Sequence, residues 1–211
     1  MSELKRPLNE FSVVVRYNEA VPIIHKVCDN TTQYLTDIIS SLMPFGLNTN
    51  YRGNKEKTAT DNIALYTSNG ITYISPDKIS KNRDLINKYK VLVSKTGAEH
   101  AGEPGKDGKF RVLTSSLKVV PPYTACTHSY FVIGSFDKKE YAENLWGYLK
   151  TKFVRFLILQ AMTSINLSKL VFPFVPMQDF SEQWNDRKLY DKYNLTNSDI
   201  QFIESIVKEM A

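Results

Sequence analysis

Residues 147–180, GYLKTKFVRFLILQAMTSINLSKLVFPFVPMQDF, constrain the fold more than any other stretch. They read as the end of an apolar helix, a short polar break at Thr163, Ser164, Asn166 and Ser168, and then an aromatic run punctuated by Pro173 and Pro176. Proline lacks a backbone donor and clashes with the preceding turn, so the last part cannot remain helical. Arg155 and Gln160 interrupt the apolar run, which falls well short of the roughly 18 residues that a membrane span requires.

A 42% hydrophobic and 12% aromatic content is ample for a core in a 211-residue chain, which argues against global disorder. The N-terminus, MSELKRPLNEF, has no apolar stretch suited to secretion. Cys28 and Cys126 fit no zinc spacing and are expected to be buried thiols in a reducing cytoplasm. A cytoplasmic protein with no membrane partner is therefore expected.

The formal charge of +5 is unevenly distributed. Residues 1–80 carry eight Lys/Arg and eight Asp/Glu, and residues 119–211 carry ten of each. The whole excess lies in residues 81–118, where nine basic residues (Lys81, Arg83, Lys88, Lys90, Lys95, Lys106, Lys109, Arg111, Lys118) face four acids. Such a block attracts polyanions, because each phosphate neutralised releases condensed counterions; a solvated lysine-rich surface has the same composition.

Periodicity and turn residues predict a mixed α+β chain, a small mixed or antiparallel sheet with several helices. Strands are expected over 11–17 (FSVVVRY), 63–66, 71–74, 90–93, 111–113 and 129–133, with Ser68, Asn69 and Gly70 turning a hairpin. A helix is expected over 19–27, with Pro22 in its first turn, and a second after Thr31 or Thr32, with Leu35, Ile38, Ile39 and Leu42 on one face. Residues 51–60 and 99–109 read as loops. Asp137 with Glu140 predicts one long helix to about Gln160, residues 184–193 a short helix, and Thr196 with Asp199 a capping box opening a last helix. The stripe of that last helix is Ile200, Ile203, Ile206, Val207 and Met210.

No glycine-rich nucleotide loop and no His/Glu metal spacing occur. His25, His100 and His128 are scattered; His128 lies two residues after Cys126, a spacing that shares a strand face without defining a catalytic pair. Glu99 and Glu103 near Lys106 and Lys109 are the nearest approach to a nuclease cluster, in a loop too glycine-rich for a rigid metal site. Aromatics interleaved with basic residues on strands, the mark of RNA binding, are not evident in the linear sequence.

The strings FSVVVRYNEAVPIIHKV, MPFGLNTNYRG, YKVLVSKTGAEHAGEPGKDGKFRVL, PPYTACTHSYFVIGSFDKKEYAENLWGYLKTKFVRFLILQ, LSKLVFPFVPMQDFSEQW and LYDKYNLTNSDIQFIESIV together cover most of residues 10–210. In this succession the chain resembles the C-terminal target-recognition region of adenine-specific DNA methyltransferases and type II restriction-modification enzymes, the TaqI-like and bifunctional type IIG-like kind. Those enzymes bind S-adenosylmethionine through a glycine-containing turn and act with an Asn/Asp-Pro-Pro-Tyr/Phe motif. Here Pro121–Tyr123 follows Val119 and Val120 and lacks the amide or acid, so a turn is expected there.

The resemblance implies a sequence-specific DNA recognition domain, a fragment or separate subunit that is non-catalytic by itself and holds no cofactor. On this resemblance S-adenosylmethionine would be held by a separate catalytic domain. Residues 1–30 would connect to that domain, 31–180 would recognise DNA and 181–211 would form a C-terminal helical segment. The partners implied are double-stranded DNA and a methyltransferase catalytic domain or subunit. A protein-interaction module docking on a catalytic subunit, or a metal-dependent DNA endonuclease, is the alternative.

Phosphate contacts are expected from Arg52, Lys55, Lys57, Lys95 and Lys118. Base-edge contacts are expected from Lys95, Thr96, His100, Arg111, Ser115, Ser116 and His128, which lie at strand ends and in loops. Arg155 and Lys152, within the helical stretch, are assigned to packing or phosphates.

Overall fold

Ser68 and Asn69 turn the chain as their composition predicts: β1 (Ile63–Thr67) and β2 (Gly70–Ile74) form an antiparallel hairpin in which Thr67 faces Gly70. The computed structural model describes residues 9–95, 103–113, 117–163 and 167–210. Among these the chain is α+β, with five α-helices and two three-stranded sheets. It divides into two compact units, one drawn from Met1–Asp37, Gly97–Thr114 and Gly147–Ala211, the other from Ile38–Thr96 and Ser115–Trp146. No helix among the described residues is long and apolar enough to cross a membrane.

The second unit holds both sheets. The remaining strands are β3 (Tyr89–Ser94), β4 (Lys118–Val120), β5 (Thr124–Cys126) and β6 (Tyr130–Phe136). One sheet has the order β2-β1-β5, with β5 parallel to β1. The other is antiparallel, in the order β4-β3-β6. Leu65 and Cys126 of the first sheet share a core with Leu92, Val120 and Val132 of the second, joined by Phe45 and Leu47. Val91 and Val93, on the other face of β3, are buried as well, so residues 91–93 are apolar on both faces of the strand. Helix α2 (Lys139–Lys150) starts in this unit, and its Leu145 packs at Gly134 of β6. Gly134 has φ +65°, and a Cβ there would lie 2.8 Å from the Leu145 side chain.

The first unit is helical: α1 (Val21–Asp29), α3 (Lys152–Ala161), α4 (Asp186–Lys192) and α5 (Asn197–Ile206). Pro22 sits in the first turn of α1, and the Thr196–Asp199 capping box opens α5. After the short 3-10 turn Lys169–Val171, residues 172–180 are non-helical as expected, and bury Phe172, Phe174, Val175 and Phe180. The Tyr148 hydroxyl donates to Pro176 O at 2.7 Å, giving this irregular run a backbone anchor.

Several expectations are corrected. No strand forms over residues 11–17; Phe11 packs edge-on against Phe174, and Arg16 N donates to Gln160 O at 3.2 Å. The helix expected after Thr31 is only a 3-10 turn, Leu35–Ile38, because the backbone pairs with the proline run instead: Leu35 N donates to Val175 O and Met177 N to Gln33 O. Leu42, assigned to its buried face, is 45% exposed. The long helix is broken at Thr151, whose extended ψ of 149° ends α2 and whose side chain caps α3 by accepting from Val154 N. Residues 111–113 make no strand, since Val112 takes a φ of +68° and leaves a single bridge, Phe110 with Val207. In the last helix only Ile203 and Val207 of the expected stripe are fully buried.

Candidate nucleic-acid interface

At one end of the second unit the chain brings together basic and aromatic residues that are distant in sequence. β3 finishes at Ser94, and Lys95 N donates to Ser129 O at 2.9 Å. Residues 127–129 form the turn from β5 to β6. Thr127 N donates to Tyr66 O at 3.0 Å, His128 N to Leu47 O at 2.9 Å and Tyr130 N to Thr127 O at 3.1 Å. Main-chain bonds on both sides therefore fix the position of His128.

Lys95 Nζ lies 3.2 Å from His128 Nε2. An ammonium only donates, so Nε2 is the acceptor and the ring is neutral with its proton on Nδ1. Burial, and then the Lys95 charge, lower the pKa of His128 below its usual 6.5, which agrees with a neutral ring. Nδ1 has no hydrogen-bond partner among the described residues and is not buried.

Lys118 Nζ stands 5.3 Å from the centre of the Tyr66 ring, and Tyr66 meets Tyr130 edge-on at 6.4 Å between centres. A cation–π contact at a partly exposed site is worth about 0.5–1 kcal/mol, too little to withdraw the ammonium from a competing phosphate. Neither Lys95 nor Lys118 has a carboxylate partner among the described residues.

The other expected phosphate contacts lie in the loop before β1. Asn54 pairs with Tyr73 of β2 through two main-chain bonds of 2.8 Å. Gly53 permits this approach, because a Cβ there would fall 2.4 Å from Tyr73 O. Arg52 is turned back into its own loop, donating to Thr49 O at 2.8 Å and Tyr51 O at 2.9 Å. Lys55 and Lys57 are exposed and have no partner among the described residues.

The structure thus brings Lys95, Lys118 and His128 to one neighbourhood and keeps Lys55 and Lys57 on a loop attached to the same unit. Arg111 belongs to the other unit; its side chain is exposed and its carbonyl accepts from Arg155. Thr96, His100, Ser115 and Ser116 lie outside the described residues, as does Glu99. Tyr66 and Tyr130 are not recognisable from sequence, because their alternation with lysines arises across strands and has no linear signal.

Arg155 is a packing residue. It is 1% exposed and donates to the carbonyls of Lys150, Thr151, Arg111 and Lys208. Lys152 pairs with Glu204 and Glu209. Pro121–Tyr123 makes the expected turn, between β4 and β5. The Cys126 thiol is buried, its pKa pushed up by desolvation, and it donates weakly to Tyr130 O, so it is no nucleophile paired with His128. Cys28 is half-buried and free, and burial raises its pKa as well. Among the described residues no three His, Cys, Asp or Glu side chains gather in a way that would hold a metal ion. No protein-family model matches the chain, and no curated protein matches it either.

Proposed function

We propose that this chain is a sequence-specific double-stranded DNA recognition domain of a cytoplasmic restriction-modification adenine methyltransferase, non-catalytic by itself. The observation that supports this most is the grouping of Lys95, His128 and Lys118 with Tyr66 and Tyr130 at one end of the sheets, with no carboxylate paired to either lysine among the described residues. Such a surface offers phosphates two cations and offers base edges a fixed set of donors. Lys55 and Lys57 add exposed cations of the kind that set register on the backbone without reading sequence. Methyl transfer, and the S-adenosylmethionine it needs, belong to a catalytic domain or subunit that this domain would deliver to its site.

The test is fluorescence anisotropy of the 211-residue chain on duplex DNA at two salt concentrations, with selection from a random-sequence library and methyl transfer assayed in parallel. Binding that weakens with salt and enriches a short motif, without methylation, is the expected result. Lys118→Ala and Lys55→Ala each remove one cation from the DNA backbone, and each should lower the slope of log affinity on log salt by about 0.9. Absence of binding at low salt, with the catalytic subunit added back as well, overturns the proposal.

A further inference from the structure

We infer that the Lys95–His128 pair reads the major-groove edge of a guanine, an inference that rests on the DNA-recognition reading above. With Lys95 donating to Nε2, the only lone pair of the neutral ring is occupied. What the pair can present to a ligand is then N–H donors alone, the remaining ammonium hydrogens of Lys95 and Nδ1–H of His128. Guanine is the base whose major-groove edge carries two neighbouring acceptors, N7 and O6. Adenine places its N6 donor beside N7, cytosine presents a donor, and thymine presents one acceptor beside a methyl group. A donor-only pair therefore favours guanine and opposes the amino groups of adenine and cytosine.

A phosphate oxygen is also a pure acceptor, and two features favour the base. The backbones that carry the pair are held by Lys95 N to Ser129 O and His128 N to Leu47 O, each 2.9 Å, and the two side chains meet at 3.2 Å. Such fixity suits a directional contact, whereas the exposed Lys55 and Lys57 suffice for charge. The ring is also held on the neutral side, which suits hydrogen-bond readout, whereas a phosphate contact would favour a charged imidazolium.

The experiment takes the duplex motif selected by the wild-type chain and replaces each guanine in turn with 7-deazaguanine, which lacks the N7 acceptor. Roughly tenfold weaker binding at one guanine is expected. With His128→Ala, preference at that base pair relaxes, the same 7-deaza substitution has little further effect, and the salt slope is unchanged. A motif without guanine, or one in which no guanine is sensitive, overturns the inference while leaving DNA recognition standing. So does a His128→Ala protein that weakens all sequences equally and lowers the salt slope, since that identifies a phosphate contact. The 7-deazaguanine arm uses wild-type protein and stands whether or not the variant folds. Loss of salt-dependent binding altogether overturns the recognition reading itself, and this one with it.

Discussion

Asp186, the first residue of α4, accepts the main-chain amide of Phe153 at 2.8 Å and so closes the start of α3 from outside that helix. It also accepts from Lys152 N at 3.1 Å, and Thr151 accepts from Val154 N. Three of the donors that a helix leaves unsatisfied at its start are thereby paired. Replacing Asp186 with Ala is expected to cost about 1–2 kcal/mol, as loss of a helix cap does, and Asp186→Asn less, since one acceptor survives. Burial raises the Asp186 pKa above the usual 3.8, with the two amide bonds partly opposing it. A carboxyl whose folded pKa is raised loses stabilisation as pH rises from the unfolded value through the folded one. Wild type should therefore gain on Asp186→Asn as pH falls through the carboxylate range, measured by urea unfolding at pH 7 and pH 4.

Arg155 leads to a prediction that separates fold from function. Its guanidinium is the shared donor for carbonyls at Lys150, Thr151, Arg111 and Lys208. Arg155→Met takes the side-chain donor away from Lys150 O and Lys208 O, while Thr151 O and Arg111 O keep main-chain donors (the amides of residue 155 and Leu113), and should destabilise the protein by roughly 3 kcal/mol. Arg155→Lys should rescue little, because a compact ammonium cannot reach so many carbonyls at once. In both variants the fraction that remains folded should bind DNA with an unchanged salt slope. A reduced slope at matched folded fraction would show that Arg155 contacts phosphate after all.

Lys90 is an ammonium in the interior of the second unit, held by Leu85 O at 2.7 Å and Lys88 O at 2.6 Å. Burial lowers its pKa from 10.5 to about 8. Below pH 8 the fold bears the full cost of the buried charge. Between pH 8 and 10.5 the unfolded chain keeps its proton while the folded one has released it, so the Lys90 contribution rises with pH. Over that window wild type should gain on Lys90→Met by up to about 3 kcal/mol, read as the difference between their denaturant midpoints at each pH. The Cys126 thiol, whose raised pKa makes the fold lose stability as pH climbs past 9.0, is coupled to the Lys90 charge, so the rise is read most directly between pH 8 and 9.

What was legible in the sequence was local. The Ser68–Gly70 hairpin and the Thr196–Asp199 box are each decided by residues within one turn, and both form as expected. The break at Thr151 was not legible, because residues 137–160 carry continuous helical periodicity and the local Thr151 cap is completed by Asp186, 34 residues beyond Lys152. β4 and β5 have three residues each, too few to show alternation, and exist because each has a neighbour to pair with. Residues 11–17 show the converse: a β-branched run with no strand beside it stays irregular. At the candidate interface Lys95 and His128 could be named as polar strand-end residues, but their meeting spans 33 residues and depends on strand pairing.

Tyr123 follows Pro121 and Pro122 in the turn that passes from β4 to β5, and it holds a left-handed φ of +59° while 57% exposed. Both of its backbone groups are used, Tyr123 N donating to Ile86 O at 2.7 Å and Tyr123 O accepting from Ala64 N at 2.9 Å. The turn therefore imposes the conformation, and the side chain gains little burial in return. A left-handed conformation costs a bulky residue about 1–2 kcal/mol, whereas asparagine tolerates it. Tyr123→Asn should raise stability by about 1 kcal/mol, seen as a higher urea midpoint with an unchanged slope. If the stabilised variant also binds duplex DNA more weakly at constant salt, the strain is retained because the exposed ring is used in recognition. Unchanged binding would make Tyr123 a residue tolerated by the turn, with no part in the interface.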